Sequence, residues 1–226
     1  MFTNLEAETM KLVVFGASGR IGTELVRQAL AAGHEVTAVV REGSTVDVQV
    51  PAGVGAHGGA LEVVSAEVMD PAAIASVISG QDAVLSALGP RGRGPTTVCA
   101  DGTRSMVEAM GQTGVRRLLV VSAAAIHTTG DDPFTKYVVK PILGRVLKDS
   151  LTDSRRMEEL VQPADLDWTI VCPPRLTNAA PKGRIRSNTE GTVRGGFSMT
   201  RADVATYLLQ AVADESVIRR TVVIAN

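Results

Sequence analysis

Aromatic side chains are scarce: one Trp, two Tyr and four Phe make up 3% of the 226 residues. The core must therefore be built from Val, Ala, Leu and Ile, the mixture expected of buried parallel strands covered by alanine-rich helices. Cysteine is nearly missing too. Cys99 and Cys172 stand far apart without metal-ligand spacing, which argues against a disulfide-stapled secreted scaffold and suits buried thiols in a reducing, cytoplasmic setting. Neither sign of charge prevails. With 23 Lys and Arg against 24 Asp and Glu, the net charge of -1 removes the electrostatic grounds for a nucleic-acid binder or a basic membrane-surface protein. No apolar run approaches the ~20 residues of a membrane-spanning helix, and residues 1–10 carry acidic side chains where a secretion signal would be basic. The partners left are small molecules or other protein chains, with the protein itself a monomer or a small homo-oligomer.

What is present is alternation. At 45% apolar residues, the chain can bury one large core, so residues 1–226 are read as a single domain. The run from Lys11 to Gly16 is a short β-branched and aromatic strand ending in glycine, and Leu25, Ala29 and Leu30 then follow at helical spacing. A second strand runs from His34 to Arg41. After a Gly- and Pro-containing excursion come a strand at 61–65 and a helix at 71–78 with Asp70 as its cap and Pro71 at its first position. Asp82 to Leu88 forms a fourth strand, Thr96 or Thr97 opens a long helix, and Arg116 to Ser122 is a fifth strand behind the breaker Gly114. A helix through 153–161, a strand at 167–172 closed by Pro173-Pro174, a helix capped by Thr200 with Asp203, and a last strand at 221–224 complete the chain. Repeated β-α-β units of this kind specify an α/β fold: a doubly wound parallel sheet of about seven strands with helices on both faces.

The first turn carries chemistry. Gly16-Ala17-Ser18-Gly19-Arg20-Ile21-Gly22 is a G-x-x-G-x-x-G turn between a strand and a helix. Glycines there let backbone N–H groups approach a diphosphate, and the helix N-terminus adds its partial positive charge. That context marks a Rossmann-type dinucleotide site. Arg41 ends the second strand, where folds of this type that prefer NAD place an acid on the ribose 2′-hydroxyl. A guanidinium there, with Arg20 in reach from the turn, favours the 2′-phosphate of NADP(H).

GASGRIG at the first turn, Arg41, Met69-Asp70, SALG at 86–89, VVSAA at 120–124 and LDWTIVCPPRL at 166–176 resemble the atypical short-chain dehydrogenase/reductases. Among them the chain is most similar to the NmrA-like group that includes biliverdin IX-beta reductase/flavin reductase. The resemblance implies that Met69 and Asp70 lie near the adenine, and that Ala87, Leu88 and Gly89 border ribose and diphosphate. It places Ser122 with Ala123, and Pro173, Pro174, Arg175 and Leu176, around the nicotinamide. Two departures bear on mechanism. The usual Tyr-x-x-x-Lys pair is replaced by Tyr137-Val138-Val139-Lys140, one residue short, and Arg175 stands where some relatives carry histidine.

The catalytic candidates are therefore Ser122, Tyr137, Lys140 and His127, a loop histidine able to donate a proton near neutral pH. Tyr137 and His127 also have plain readings, as a packing residue of a small amphipathic element at 136–147 and as a solvated loop residue. Residues 177–197, rich in Gly, Arg and Asn, suggest a flap or short hairpin over a small C-terminal substrate-binding portion. Together these expectations describe an NADPH-dependent reductase passing hydride to a flavin, quinone or similar conjugated small-molecule acceptor. The alternative is a redox-sensing regulator of the NmrA type that binds NADP(H) without catalysis.

Overall fold

A computed structural model describes residues 9–48, 59–90, 92, 94–127 and 147–226. Its centre is an eight-stranded sheet in the order β3-β2-β1-β4-β5-β6-β10-β8. The strands are β1 (Lys11–Phe15), β2 (Glu35–Val40), β3 (Leu61–Ser65), β4 (Ala83–Ser86), β5 (Arg117–Val121), β6 (Asp167–Cys172), β8 (Arg186–Asn188) and β10 (Arg220–Ala225). All neighbours are parallel except β8, which runs antiparallel to β10. A separate parallel pair joins β7 (Arg175–Thr177) to β9 (Ser198–Thr200).

Five α-helices among the described residues cover the sheet: α1 (Arg20–Ala31), α2 (Pro71–Ile78), α3 (Val98–Thr113), α4 (Lys148–Val161) and α5 (Arg201–Val212). The period-two alternation of strand residues sorts them onto two faces. In β1, Leu12 and Val14 pack with α1 and α5, whereas Val13 and Phe15 pack with α2, α3 and α4. Both faces are buried, which is why the strands read as unbroken apolar runs.

The fold class expected from sequence is the one observed, but the strand count is not. About seven strands were expected; the structure adds the three-residue strands β7, β8 and β9, which carry no periodicity of their own and exist only through pairing. Within residues 177–197, β8 joins the sheet edge, and Arg186 donates to the Arg194 and Asn226 carbonyls at 2.8 and 2.9 Å.

Helix starts depend on who caps them. Asp70 accepts the Ala72 N–H at 2.9 Å and Thr200 accepts the Asp203 N–H at 3.0 Å, as their sequence patterns predict. At α3 the donors go elsewhere. Thr97 makes no capping bond; instead buried Asp153 of α4 accepts the Cys99 and Ala100 N–H groups at 3.0 and 2.9 Å. The helix ends on Gly114 at φ 77°, a left-handed conformation that glycine adopts at no steric cost.

The reversal of strand order falls between β1 and β4. A crevice opens at the carboxyl ends of strands flanking such a reversal, because the helices that follow them leave to opposite faces.

Candidate functional site

The crevice is a cleft of about 1040 Å³ bounded by the β1–α1 turn, the ends of β2, β4 and β5, and residues of α3 and α4. Its floor is set by close backbone approach. A Cβ on Gly16, which sits at φ +75°, would lie 2.8 Å from the Ala87 carbonyl, and one on Gly22 would lie 2.1 Å from the Gly16 oxygen. The turn therefore presses against the end of β4 while α1 packs on the turn, leaving the α1 N-terminus open to the cleft. Gly19 occupies the cap position with no side chain to satisfy the first-turn N–H groups. This cradle and the cleft volume fit a bound dinucleotide, whose diphosphate the amides would hold.

Gly16, Ser18, Gly19, Arg20, Ile21 and Arg41 line the cleft, as do Ala87, Leu88, Gly89, Ser122, Ala123 and Leu176. The other expected cofactor positions do not line it. Ala17 is buried and Gly22 lies under the turn. Val68 faces the cleft in place of Met69, which is 40% exposed, and Asp70, whose carboxylate caps α2. Pro173 accepts the Ala124 N–H at 2.9 Å, Pro174 follows it outside the lining, and Arg175 is exposed on β7. Tyr137 and Lys140 lie outside the described residues.

Arg201, at the first position of α5, was invisible to sequence reasoning. It lines the main cleft with Arg20 and Arg41, and shares a smaller hollow of about 220 Å³ with Arg20. Partial burial, then the charge of Arg20, lower its pKa. Two guanidinium groups at two helix N-termini, where the dipole already disfavours positive charge, mark a place for an anion. Arg201 also donates to Asn178 Oδ1 at 2.6 Å, which holds it.

The wall at the ends of β5 and β6 carries the second surprise. The parallel register pairs Val121 with Val171, so Ser122 and Cys172 emerge side by side. Ser122 donates its hydroxyl to Glu158 of α4, a buried carboxylate that sequence reasoning passed over because a helix glutamate is ordinarily a surface residue. His127 follows a one-turn 3₁₀ helix at Ala124–Ile126, and its Nε2 lies 3.3 Å from Glu158 and 3.4 Å from Cys172 Sγ. It is neither a solvated loop residue nor part of the cleft surface. Both cysteines are buried thiols: burial and then Asp153 push Cys99 up to about 12, and burial and then Glu158 raise Cys172 well above its ordinary value.

Comparison with known proteins agrees with this geometry. A family model described as NAD(P)H-binding matches residues 16–215. The chain is 28% identical over 225 residues to UPF0659 protein YMR090W of Saccharomyces cerevisiae, covering 96% of this chain and 93% of that one. It is 29% identical over 216 residues to the chloroplastic protein At2g34460 of Arabidopsis thaliana, covering 92% and 74%. Among solved structures, the oxidoreductase ylbE of Lactococcus lactis superposes with a TM-score of 0.78 at 21% identity, covering 96% and 91% of the two chains. A short-chain dehydrogenase/reductase of Veillonella parvula, crystallised in complex with NADP, gives 0.74 at 18% identity, covering 96% and 94%. No helix among the described residues is long and apolar enough to cross a membrane. With its glycine cradle and switch-point cleft matched over most of its length, the chain belongs to the NAD(P)H-binding family and has the fold of the short-chain dehydrogenase/reductases.

Proposed function

We propose that the protein is an NADPH-dependent reductase acting on a flavin, quinone or similar conjugated acceptor. The observation that carries this reading is the charge at the ends of the cleft: Arg41 follows β2 where an NAD-binding site would place an acid, and Arg20 and Arg201 converge beside the α1 amides. Arg41 then recognises the 2′-phosphate, and the pair Arg20 and Arg201 holds the diphosphate. Bound there, the cofactor supplies a hydride.

The chain's own part is to bind, orient and exclude water. Val68, Ala87 to Gly89, Ser122, Ala123 and Leu176 wall the cleft. Because the Ser122 proton is engaged by Glu158, its oxygen offers lone pairs to the cleft and orients an amide or hydroxyl there. A conjugated acceptor is already electrophilic, so positioning is the main requirement, and its proton comes from solvent.

Calorimetry with NADPH and NADH tests the cofactor assignment. A charge-assisted bidentate contact is worth about 1.5–3 kcal/mol, so NADPH binds roughly 10–100 times more tightly, and Arg41→Ala erases the difference. Equal affinities in the parent protein would defeat it. Oxidation of NADPH in the presence of FMN or a quinone tests the acceptor class, and tight cofactor binding without turnover across such a panel returns the protein to the redox-sensing alternative.

A further inference from the structure

His127, Glu158 and Cys172 come from the loop after β5, from α4 and from the end of β6, and their donor atoms lie within 4.8 Å of one another. The edges of the triangle are 3.3 Å from His127 Nε2 to Glu158 Oε1, 3.4 Å from Nε2 to Cys172 Sγ, and 3.8 Å from Sγ to Oε1. We propose that these three atoms form a binding site for a borderline divalent transition ion, zinc above all. Zinc bonded tetrahedrally to nitrogen and oxygen at about 2.0–2.1 Å and to sulfur at about 2.3 Å sets its ligand atoms roughly 3.3–3.6 Å apart. The observed edges need adjustments of only tenths of an ångström.

Charge points the same way. Glu158 is 5% exposed and Cys172 fully buried, and a buried carboxylate that stays ionised is stabilised by a positive partner. The groups within bonding distance of Glu158 among the described residues are a hydroxyl, an imidazole and a thiol, none of them a permanent cation. A divalent ion meets that need and takes the Cys172 sulfur as a thiolate. The step balances simply: the ion displaces the Cys172 proton to solvent, a sulfur–metal bond forms, and no electron moves.

Three protein ligands leave one tetrahedral position open, the pattern of reactive rather than purely structural zinc sites. Ser122, bonded to Glu158, lines the cleft, so the ion sits directly behind the wall that the cofactor faces. Ligands at 127, 158 and 172 share no short motif, and only the β5–β6 register and the packing of α4 bring them together.

The test uses the full-length, untagged protein stripped of metal by dialysis against a chelator, then titrated with cobalt(II). One cobalt per chain, bound with release of a proton and giving a thiolate-to-cobalt charge-transfer band and the intense visible bands of a tetrahedral ion, with displacement of the cobalt by one equivalent of zinc, is the expected result. Cys172→Ser removes the charge-transfer band, and His127→Ala, at a half-buried position, weakens cobalt binding at least tenfold. Absence of these bands at millimolar cobalt, or bands that persist in both variants, overturns the site. Because the readout is spectroscopic, its failure leaves the hydride-transfer reading untouched.

Discussion

Arg201 shows how a single side chain can be chemically eloquent in the fold and silent in the sequence. A cation at a helix N-terminus runs against the macrodipole, and placing Arg20 beside it adds repulsion. In the chain it is only an arginine after a capping threonine. If the pair holds a diphosphate common to both coenzymes, Arg201→Ala weakens NADPH and NADH alike, by roughly tenfold for one charge-assisted contact. Calorimetry then separates it from Arg41→Ala, which affects NADPH alone. A loss confined to NADPH would reassign Arg201 to the 2′-phosphate. Gly16 and Gly22 are the opposite case: their spacing predicts a tight turn, and the structure supplies the contacts, 2.8 Å and 2.1 Å, that forbid a side chain.

At the scale of elements, the helices were legible and their caps only partly so. Asp70 and Thr200 cap locally, within reach of their own first turns, so their patterns are readable in sequence. The cap of α3 is tertiary. Asp153 reaches across from α4, more than fifty residues along the chain, and no local pattern announces it. Asp153→Ala leaves two buried N–H groups unsatisfied and should cost about 2–4 kcal/mol, whereas Thr97→Ala costs under about 1 kcal/mol. Urea unfolding of the two variants decides: a larger loss at Thr97 would mean that α3 is capped locally after all. The short strands β7, β8 and β9 were illegible for the same reason, since three residues carry no period and take their conformation from the strand they pair with.

At the scale of the molecule, Asp203 ties together residues 182–183, the start of α5 and the chain end. Burial works to raise its carboxyl pKa, but the Lys182 and Gly183 amides, the Thr200 hydroxyl and the Asn226 side chain outweigh it and hold it below the ordinary value. A carboxyl depressed in the folded state stabilises above its unfolded pKa of about 3.9, and that contribution disappears as pH falls through the folded value. On the alkaline side, Cys99, raised to about 12, contributes fully below an unfolded pKa of roughly 8.5, and its share is lost as pH climbs towards its folded value. Burial also lowers the His34 pKa, so its contribution fades as pH falls below its unfolded value of about 6.5. Stability measured by urea unfolding should therefore be level only between about pH 6.5 and about 8.5, and Asp203→Asn should flatten the acid limb. An unchanged acid slope in that variant would remove Asp203 from the account. The sequence by itself determined the β-α alternation, the glycine turn and the reversed charge at Arg41, because each depends on residues close together in the chain. Only the tertiary structure decided that Arg201 joins Arg20, that Asp153 caps α3, and that Glu158, His127 and Cys172 meet behind Ser122. Those juxtapositions come from strand order and helix packing across long separations, and no local pattern in the chain encodes them.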